Sequence, residues 1–156
     1  MPAAESLAQA IDRAIRFFAD SREPQALLWL EYMHRRFGVD VFRDSLSIFD
    51  RIVAGNPERA PLMRVLRRIA DPDNRLRLAD LDSVTHISDE IIVAALYCDQ
   101  LGLPPEFPGA LDKARQAGGY FCTHALLAWI WAEQRGARLE VPPGFGDFYC
   151  FYSLRI

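Results

Sequence analysis

The segment 120–132 constrains the fold of this chain more than any other part of the sequence. Apart from Thr123 and His124, nearly every residue in it is apolar, whichever side of a helix is considered. A helix that is apolar all round has to be enclosed by other elements. The segment is shorter than the roughly 20 residues needed to cross a bilayer, and the polar run Glu133-Gln134-Arg135 ends it. It is therefore predicted to be the central helix of a soluble protein.

The composition describes an ordinary globular chain. The protein has 156 residues, 51% of them hydrophobic, and a formal net charge of -3. Because phosphate-backbone binding normally requires a basic excess, we expect no nucleic acid as a partner. Because the apolar segment is too short to cross a bilayer, we expect no membrane partner either. Three cysteines without CxxC spacing, together with an N-terminal segment that lacks a signal-peptide pattern, predict a reducing, cytoplasmic location.

Hydrophobic periodicity predicts an all-α fold. The first half, 1–70, reads as four helices: an amphipathic helix over 4–20, and helices that begin near Pro24, Asp40 and Glu58. A connector over 71–87 opens with the turn sequence Asp-Pro-Asp-Asn, and its alternating leucines fit either a helical turn or an extended segment.

The second helical half, 88–136, contains three predicted helices. They begin near Ser88, near Pro108 and at the central segment. The predicted architecture is a single domain of about seven antiparallel helices around the central helix, either in HEAT-like or α/α-superhelical hairpins or in an orthogonal bundle.

A possible internal repeat supports the hairpin form. Thr85-His86 recurs as Thr123-His124 at an offset of 38 residues, and the same offset superimposes Pro104-Pro105 on Pro142-Pro143. This period is close to that of helical-hairpin repeats. The predicted helices end at different distances from their histidines, however, and the first half shows no third copy. A repeat and a non-repetitive helical fold therefore both stay open.

The C-terminal segment 137–156 loses the helical period and becomes aromatic. Buried aromatic rings strongly stabilise a fold, which favours an extended tail packed on the helices. If the tail is exposed instead, it is a partner-binding surface. The residues that would form this surface are Phe145, Phe148, Tyr149, Phe151 and Tyr152.

The two Thr-His pairs are the leading candidates for chemistry. His86 and His124 each follow a threonine near a predicted helix N-terminus, where the helix dipole favours a neutral imidazole that can act as a base or a metal ligand. Tyr120 joins them as a third catalytic candidate. Asp89 and Glu90 follow His86 by three and four residues, so that His86, Asp89, Glu90 and His124 form a candidate divalent-metal set.

The same residues also have a structural interpretation, which is the commoner role for such pairs. Thr85 and Thr123 would cap their helices, and the histidines would be partly buried and hydrogen-bonded to neighbours such as Tyr120. Cys122 is a poor nucleophile candidate, because it and His124 occupy different directions around a helix. The basic run from Arg59 to Arg77 alternates with aspartates, which is typical of a solvated, ion-paired surface rather than of a site for an acidic partner.

These observations lead to two functional hypotheses. The first is a non-catalytic interaction or accessory module that binds a protein partner, or a second copy of itself, through a helical groove or the aromatic tail. It needs no cofactor, and it rests on the tail and on the lack of a recognised catalytic motif. The alternative is a small metal-dependent or acid/base enzyme with its site at the two Thr-His pairs. Whether the chain is an enzyme stays open.

Overall fold

A computed structural model of the protein describes residues 6–140 and Phe145. Helix accounts for 71% of the structure, and no strand occurs among the described residues, which confirms the all-α class. The chain divides into two compact units, Met1–Ser83 and Val84–Ile156. The division falls inside the predicted connector 71–87. The organisation as a single domain stays a prediction.

Four α-helices and three short 3₁₀ turns form the described part of the first unit. The α-helices are α1 (Leu7–Phe18), α2 (Pro24–Phe37), α3 (Ser45–Ala54) and α4 (Ala60–Leu66). The 3₁₀ turns cover Asp40–Phe42, Arg67–Ile69 and Leu78–Ser83. The last of these turns shows that the leucines of the connector end in a helical turn.

The first two helices begin where capping chemistry predicts. The Ser6 hydroxyl accepts the backbone N–H of Gln9 at 3.3 Å, and the Gln9 side chain accepts the backbone N–H of Ser6 at 2.9 Å, forming a capping box. Glu23 caps α2, in which Pro24 occupies the first position, and Gly38 ends that helix with a φ of 69°.

The third helix begins later than predicted. Asp40 was expected to cap it, but the Asp40 carboxylate pairs with Arg43 at 2.9 Å. The chain from Asp40 to Phe42 forms a separate 3₁₀ turn, and α3 starts at Ser45. The Asp40 carboxylate therefore contacts Arg43 and does not cap α3.

The core of the first unit lies between α2, α3 and α4, which pack on one another. The buried Glu31 carboxylate accepts the backbone N–H of Leu46 at 3.3 Å and so satisfies a donor in the first turn of α3. The innermost side chains of this core are Leu27, Leu28, Phe49, Met63 and Val65.

The described part of the second unit contains four further α-helices. These are α5 (Ile87–Leu96), α6 (Cys98–Leu101), α7 (Phe107–Ala117) and α8 (Gly119–Gln134). Helix α8 contains the whole segment 120–132 and packs extensively against α5 and α7. The central segment is therefore helical, as predicted, and lies between two helices of its own unit.

Small residues on α8 allow this packing. Ala125, Ala128 and Ala132 are completely buried, and Trp131 is buried beside them. Because these alanines add little bulk, the backbone of α8 can approach its neighbours closely. The opposite side is covered less completely, since Leu126 and Leu127 are half-buried. The sequence predicts that α8 is enclosed on every side, but only one stripe of the helix is fully buried.

A pair of glycines allows α8 to follow α7 directly. Gly118 and Gly119 have φ values of 71° and 52°, in the left-handed region that other residues seldom adopt. Gly118 donates its N–H to the Arg115 carbonyl at 3.2 Å and so ends α7. The chain reverses without an intervening loop.

Among residues 6–140, no helix has the length and apolar content that a membrane crossing requires.

The basic run is ion-paired in part, since Arg64 binds both carboxylate oxygens of Asp80, at 2.8 and 2.5 Å. Asp80 is buried, so this pair ties the last 3₁₀ turn to α4.

We predict that Asp80→Asn lowers the free energy of unfolding by about 1.5 kcal/mol, a low value for a charged hydrogen bond because Arg64 is partly exposed. The Arg64 hydrogen bond and charge hold the pKa of Asp80 below its usual 3.8. This stabilisation is present above the unfolded-state pKa and is lost as pH falls through the lower folded-state pKa. Urea unfolding at neutral pH and near pH 3 measures it.

Asp73→Asn is the matched control, because Asp73 is an exposed aspartate on the same connector. The difference between wild type and Asp80→Asn should narrow at the acid pH, whereas Asp73→Asn should change little at either pH. An equal loss for both variants at neutral pH would contradict a specific role for the Arg64 pair.

Candidate functional site

His86 occupies the N-cap of α5. Its Nδ1 atom accepts the backbone N–H of Ser88 at 3.3 Å and lies 2.6 Å from the Ser88 hydroxyl oxygen. A nitrogen that accepts the N–H carries no proton, so the hydroxyl donates to it. Ser88 is only 1% exposed, which leaves its hydroxyl out of reach of a substrate. The His–Ser contact therefore starts a helix and does not form a nucleophile pair.

The second Thr-His pair lies inside α8 and not at its start. Gly119 is the first residue of the helix, so Thr123 and His124 belong to its second turn. The Thr123 hydroxyl donates to the Tyr120 carbonyl at 2.7 Å, and His124 Nδ1 lies 2.9 Å from the same oxygen. The predicted cap at Thr123 is wrong, and the two Thr-His pairs are not in equivalent structural positions.

A series of ring contacts runs from one histidine to the other. His86 stacks on Phe121 with ring centroids 6.4 Å apart, Phe121 meets Tyr120 edge-on at 5.9 Å, and Tyr120 lies 3.9 Å from the ring of His124. Aromatic pairs in such arrangements add modest stability. The catalytic candidates His86, Tyr120 and His124 thus belong to one aromatic cluster of the second unit.

The predicted metal ligands do not form a binding group. Asp89 and Glu90 lie in the first turn of α5, where their charges complement the helix dipole. Within residues 6–140, no three or more His, Cys, Asp or Glu side chains are arranged to hold a metal ion. The set His86, Asp89, Glu90 and His124 therefore lacks the geometry proposed for it, because each histidine is engaged with its own local partner.

Cys122 is buried on the packed stripe of α8. Burial raises the pKa of its thiol above the usual value and outweighs the charge of Arg115, which lowers it. A buried thiol of raised pKa is a poor nucleophile. Cys98 is also buried, and neither Cys98 nor Cys122 is in a disulfide.

The aromatic tail is described at one position only. Phe145 is buried and meets Trp129 edge-on, with ring centroids 5.5 Å apart. At this position the ring is packed and is not available to a partner. The other predicted tail residues lie outside the described residues: Phe148, Tyr149, Phe151 and Tyr152.

The second unit contains an apolar groove of about 590 Å³ between α5, α7 and α8. Ile87 and Ile91 of α5 line one side, and Phe121 of α8 extends the aromatic cluster into it. Gly109 and neighbouring alanines of α7 form its floor, and a Cβ atom added at Gly109 would meet nothing within 4 Å. This groove has the helical walls expected for the first functional hypothesis.

The first unit has an arginine-lined groove of about 540 Å³. Arg64, Arg67, Arg75 and Arg77 all line it. The sequence identified these residues as a basic run, but it assigned them to an ion-paired surface. Only the fold of 50–80 brings them around one space, so sequence spacing carried no signal for the groove.

The amphipathic helix α1 buries none of its residues. Leu7 is 79% exposed, Ile11 51%, Phe17 78% and Phe18 43%. Within the first unit, no described helix packs extensively against it. The predicted amphipathic pattern is present, and its apolar stripe is exposed.

Comparisons of the chain with protein-family models, with curated proteins and with solved structures find no match.

We predict that His86→Ala lowers the free energy of unfolding by about 1 kcal/mol, because α5 loses its N-cap. His86→Asn should recover most of the loss, since asparagine is a strong N-cap residue. Thr85→Ala is the control, because Thr85 was the cap expected from the sequence. Denaturant unfolding distinguishes the two positions, and a larger loss for Thr85→Ala than for His86→Ala would contradict the observed cap.

We also predict that Cys98 and Cys122 resist alkylation in the folded protein, because both thiols are buried. Iodoacetamide treatment at mildly alkaline pH, with modified residues located by mass spectrometry, measures this. Both should react after unfolding in denaturant. Modification of native Cys122 at the rate of a free small-molecule thiol would contradict its burial.

Proposed function

We propose that this protein is a non-catalytic interaction module that associates with a second copy of itself through α1. The observation that supports the proposal is the exposed apolar face of that helix. Large apolar side chains gathered on one surface are typical of an interaction site. A helix of 12 residues is also only marginally stable alone in water, so contact with another surface would stabilise it.

The spacing of the apolar residues fits an antiparallel pair of α1 helices. Leu7, Ile11, Ala14 and Phe18 follow one another at intervals of four, three and four, which is the seam of a coiled coil. If two copies are related by a two-fold axis between residues 12 and 13, Leu7 lies opposite Phe18 and Ile11 lies opposite Ala14. Each contact pairs residues of different size, as close packing requires.

The flanking positions fit the same arrangement. On one side of the seam, Ala8 of one helix would face Ile15 of the other. On the opposite side, Ala10 would face Phe17. Each small side chain meets a large one, so the flanks close without a gap. In a parallel pair, by contrast, Phe18 would meet Phe18 at the seam and Ala14 would meet Ala14, which leaves one contact crowded and another empty.

The polar side of α1 favours a protein surface over a lipid surface. Helices that bind membranes in the interfacial plane carry mainly Lys and Arg on that side. In α1, Asp12 pairs with Arg16 at 2.6 Å, Gln9 is neutral, and Arg13 adds one positive charge, so that the formal net charge of the helix is only +1. The polar side therefore carries little net charge for attraction to anionic lipid, whereas its distance from the seam keeps it hydrated in a dimer.

The finer points of the architecture remain proposals. The HEAT-like hairpin arrangement is supported by the direct connection of α7 to α8 and by their packing. The 38-residue repeat has less support, because its two Thr-His pairs occupy different positions on their helices. A cytoplasmic location is supported by the free thiols of Cys98 and Cys122. The apolar groove of the second unit and the aromatic tail stay as further candidate partner surfaces.

The enzyme alternative has no comparable support. His86 caps a helix, His124 contacts the Tyr120 carbonyl, and Cys122 is buried. Each group therefore has a local role that accounts for its position.

Sedimentation velocity at protein concentrations from about 5 to about 500 μM tests the association. This range is suitable because the interface between two short helices is small, and small interfaces usually bind weakly. We expect the sedimentation coefficient of the full chain to rise with concentration from monomer to dimer. Ile11→Asp should weaken the dimer by at least about thirtyfold, since the seam would bury unpaired carboxylates.

Gln9→Glu is the matched control, because it adds the same charge to the polar side of α1, can keep the capping box with Ser6 and should leave association unchanged. Phe37→Asp tests the separate exposed apolar residues at the end of α2. A wild-type monomer at every concentration, or a dimer that Phe37→Asp rather than Ile11→Asp dissociates, would refute the proposal. So would a monomer that cosediments with phosphatidylserine vesicles through α1.

A further inference from the structure

The arginine-lined groove of the first unit has one apolar wall and one cationic wall. Val53 and Ala54 of α3, with Pro57 and Ala60 beyond them, supply the apolar wall. Four arginines supply the cationic one. At about 540 Å³ the groove lies within the roughly 300–1,000 Å³ typical of small-molecule sites.

Two of the arginines are held in place by carboxylates. Arg64 is bound by Asp80 through Nε and Nη2, as described above. Arg67 donates from Nε and Nη2 to the two carboxylate oxygens of Asp50, at 3.0 and 3.1 Å, and from Nη1 to Asp71. Such paired contacts fix the guanidinium planes. The wall is therefore ordered before a ligand arrives.

The other two arginines extend from the segment after α4. Arg75 and Arg77 are both exposed, and no hydrogen bond or salt bridge joins Arg75 to another described side chain. The charge of Arg77 reaches Asp80 and contributes to the lowered pKa of that carboxyl. Four arginines and two aspartates line the groove, and Asp71, which is bound to Arg67, offsets one of the two remaining positive charges.

We infer that this groove binds a small phosphate monoester with an apolar or aromatic body. Arg75 and Arg77 hold the phosphate, Arg64 and Arg67 supply the fixed positive field behind it, and the body of the ligand lies on Val53, Ala54 and Pro57. This binding site is independent of the self-association proposed for α1.

The charge and shape of the groove select this class of ligand. A phosphate monoester carries close to two negative charges at neutral pH, one for each of the two exposed arginines that line the groove. One arginine guanidinium group can donate two parallel hydrogen bonds to two oxygens of a phosphate group. An inorganic anion would not cover the apolar wall, which would stay in contact with water. A neutral apolar molecule would make no ionic contact with Arg75 and Arg77.

Isothermal titration calorimetry of the full chain with phenyl phosphate tests the inference. Three ligands serve for comparison. Inorganic phosphate lacks the aromatic body, benzoate lacks the second charge, and benzyl alcohol lacks any charge. We expect phenyl phosphate to bind most tightly, and its affinity to fall as ionic strength rises. Arg75→Gln and Arg77→Gln should each weaken binding about tenfold, as expected for a lost charged hydrogen bond.

Arg36→Gln is the matched control, because Arg36 is an exposed arginine of the same unit that does not line the groove. Asp50→Asn is the converse variant: its amide oxygen can still accept a hydrogen bond from Arg67, while the loss of a competing negative charge should tighten phenyl phosphate binding severalfold. Unchanged thermal unfolding of the arginine variants would show that they remain folded.

Four results would overturn the inference. They are no detectable binding of phenyl phosphate at about 10 mM, equal binding of inorganic phosphate and phenyl phosphate, equal losses for Arg36→Gln and Arg75→Gln, and binding of an oligoglutamate peptide in place of phenyl phosphate.

Discussion

The removal of apolar surface from water is the constraint on which the rest of this structure depends. In the second unit it is met by α8, whose alanines at 125, 128 and 132 are completely buried between α5 and α7. Small side chains at these positions bring the helices close together, and the large residues Trp131 and Leu111 fill the remaining space. The glycines before α8 serve the same end, because they let the helix fold back directly from α7.

The first unit meets this constraint in only three of its four helices. Helices α2, α3 and α4 share a core, while α1 has a regular apolar stripe and buries none of its residues. The proposed function follows from that contrast, since apolar surface that a unit leaves uncovered is available to another molecule. The charged groove beside α3 and α4 is a different kind of surface, because its carboxylates hold arginines in position instead of neutralising all of them.

Local signals made the helices predictable, whereas the roles of single polar residues depended on tertiary contacts. As expected, α2 begins at Pro24 and Gly38 is its C-cap, and the apolar segment 120–132 is helical. The cap of α5 is His86 and not Thr85, because the imidazole reaches the N–H of a buried serine. The four arginines of the groove, similarly, are spread over 14 positions of sequence, 64 to 77, and are brought together only by the turn between them.

Hydrogen–deuterium exchange of the α1 amides at low and high protein concentration tests the central claim most directly, because it reports on this helix alone. If a second copy covers the apolar face, the amides of residues 8–18 should exchange more slowly at high concentration, while those of α8 should be unaffected. Exchange of α1 that is equally fast at both concentrations would contradict the account.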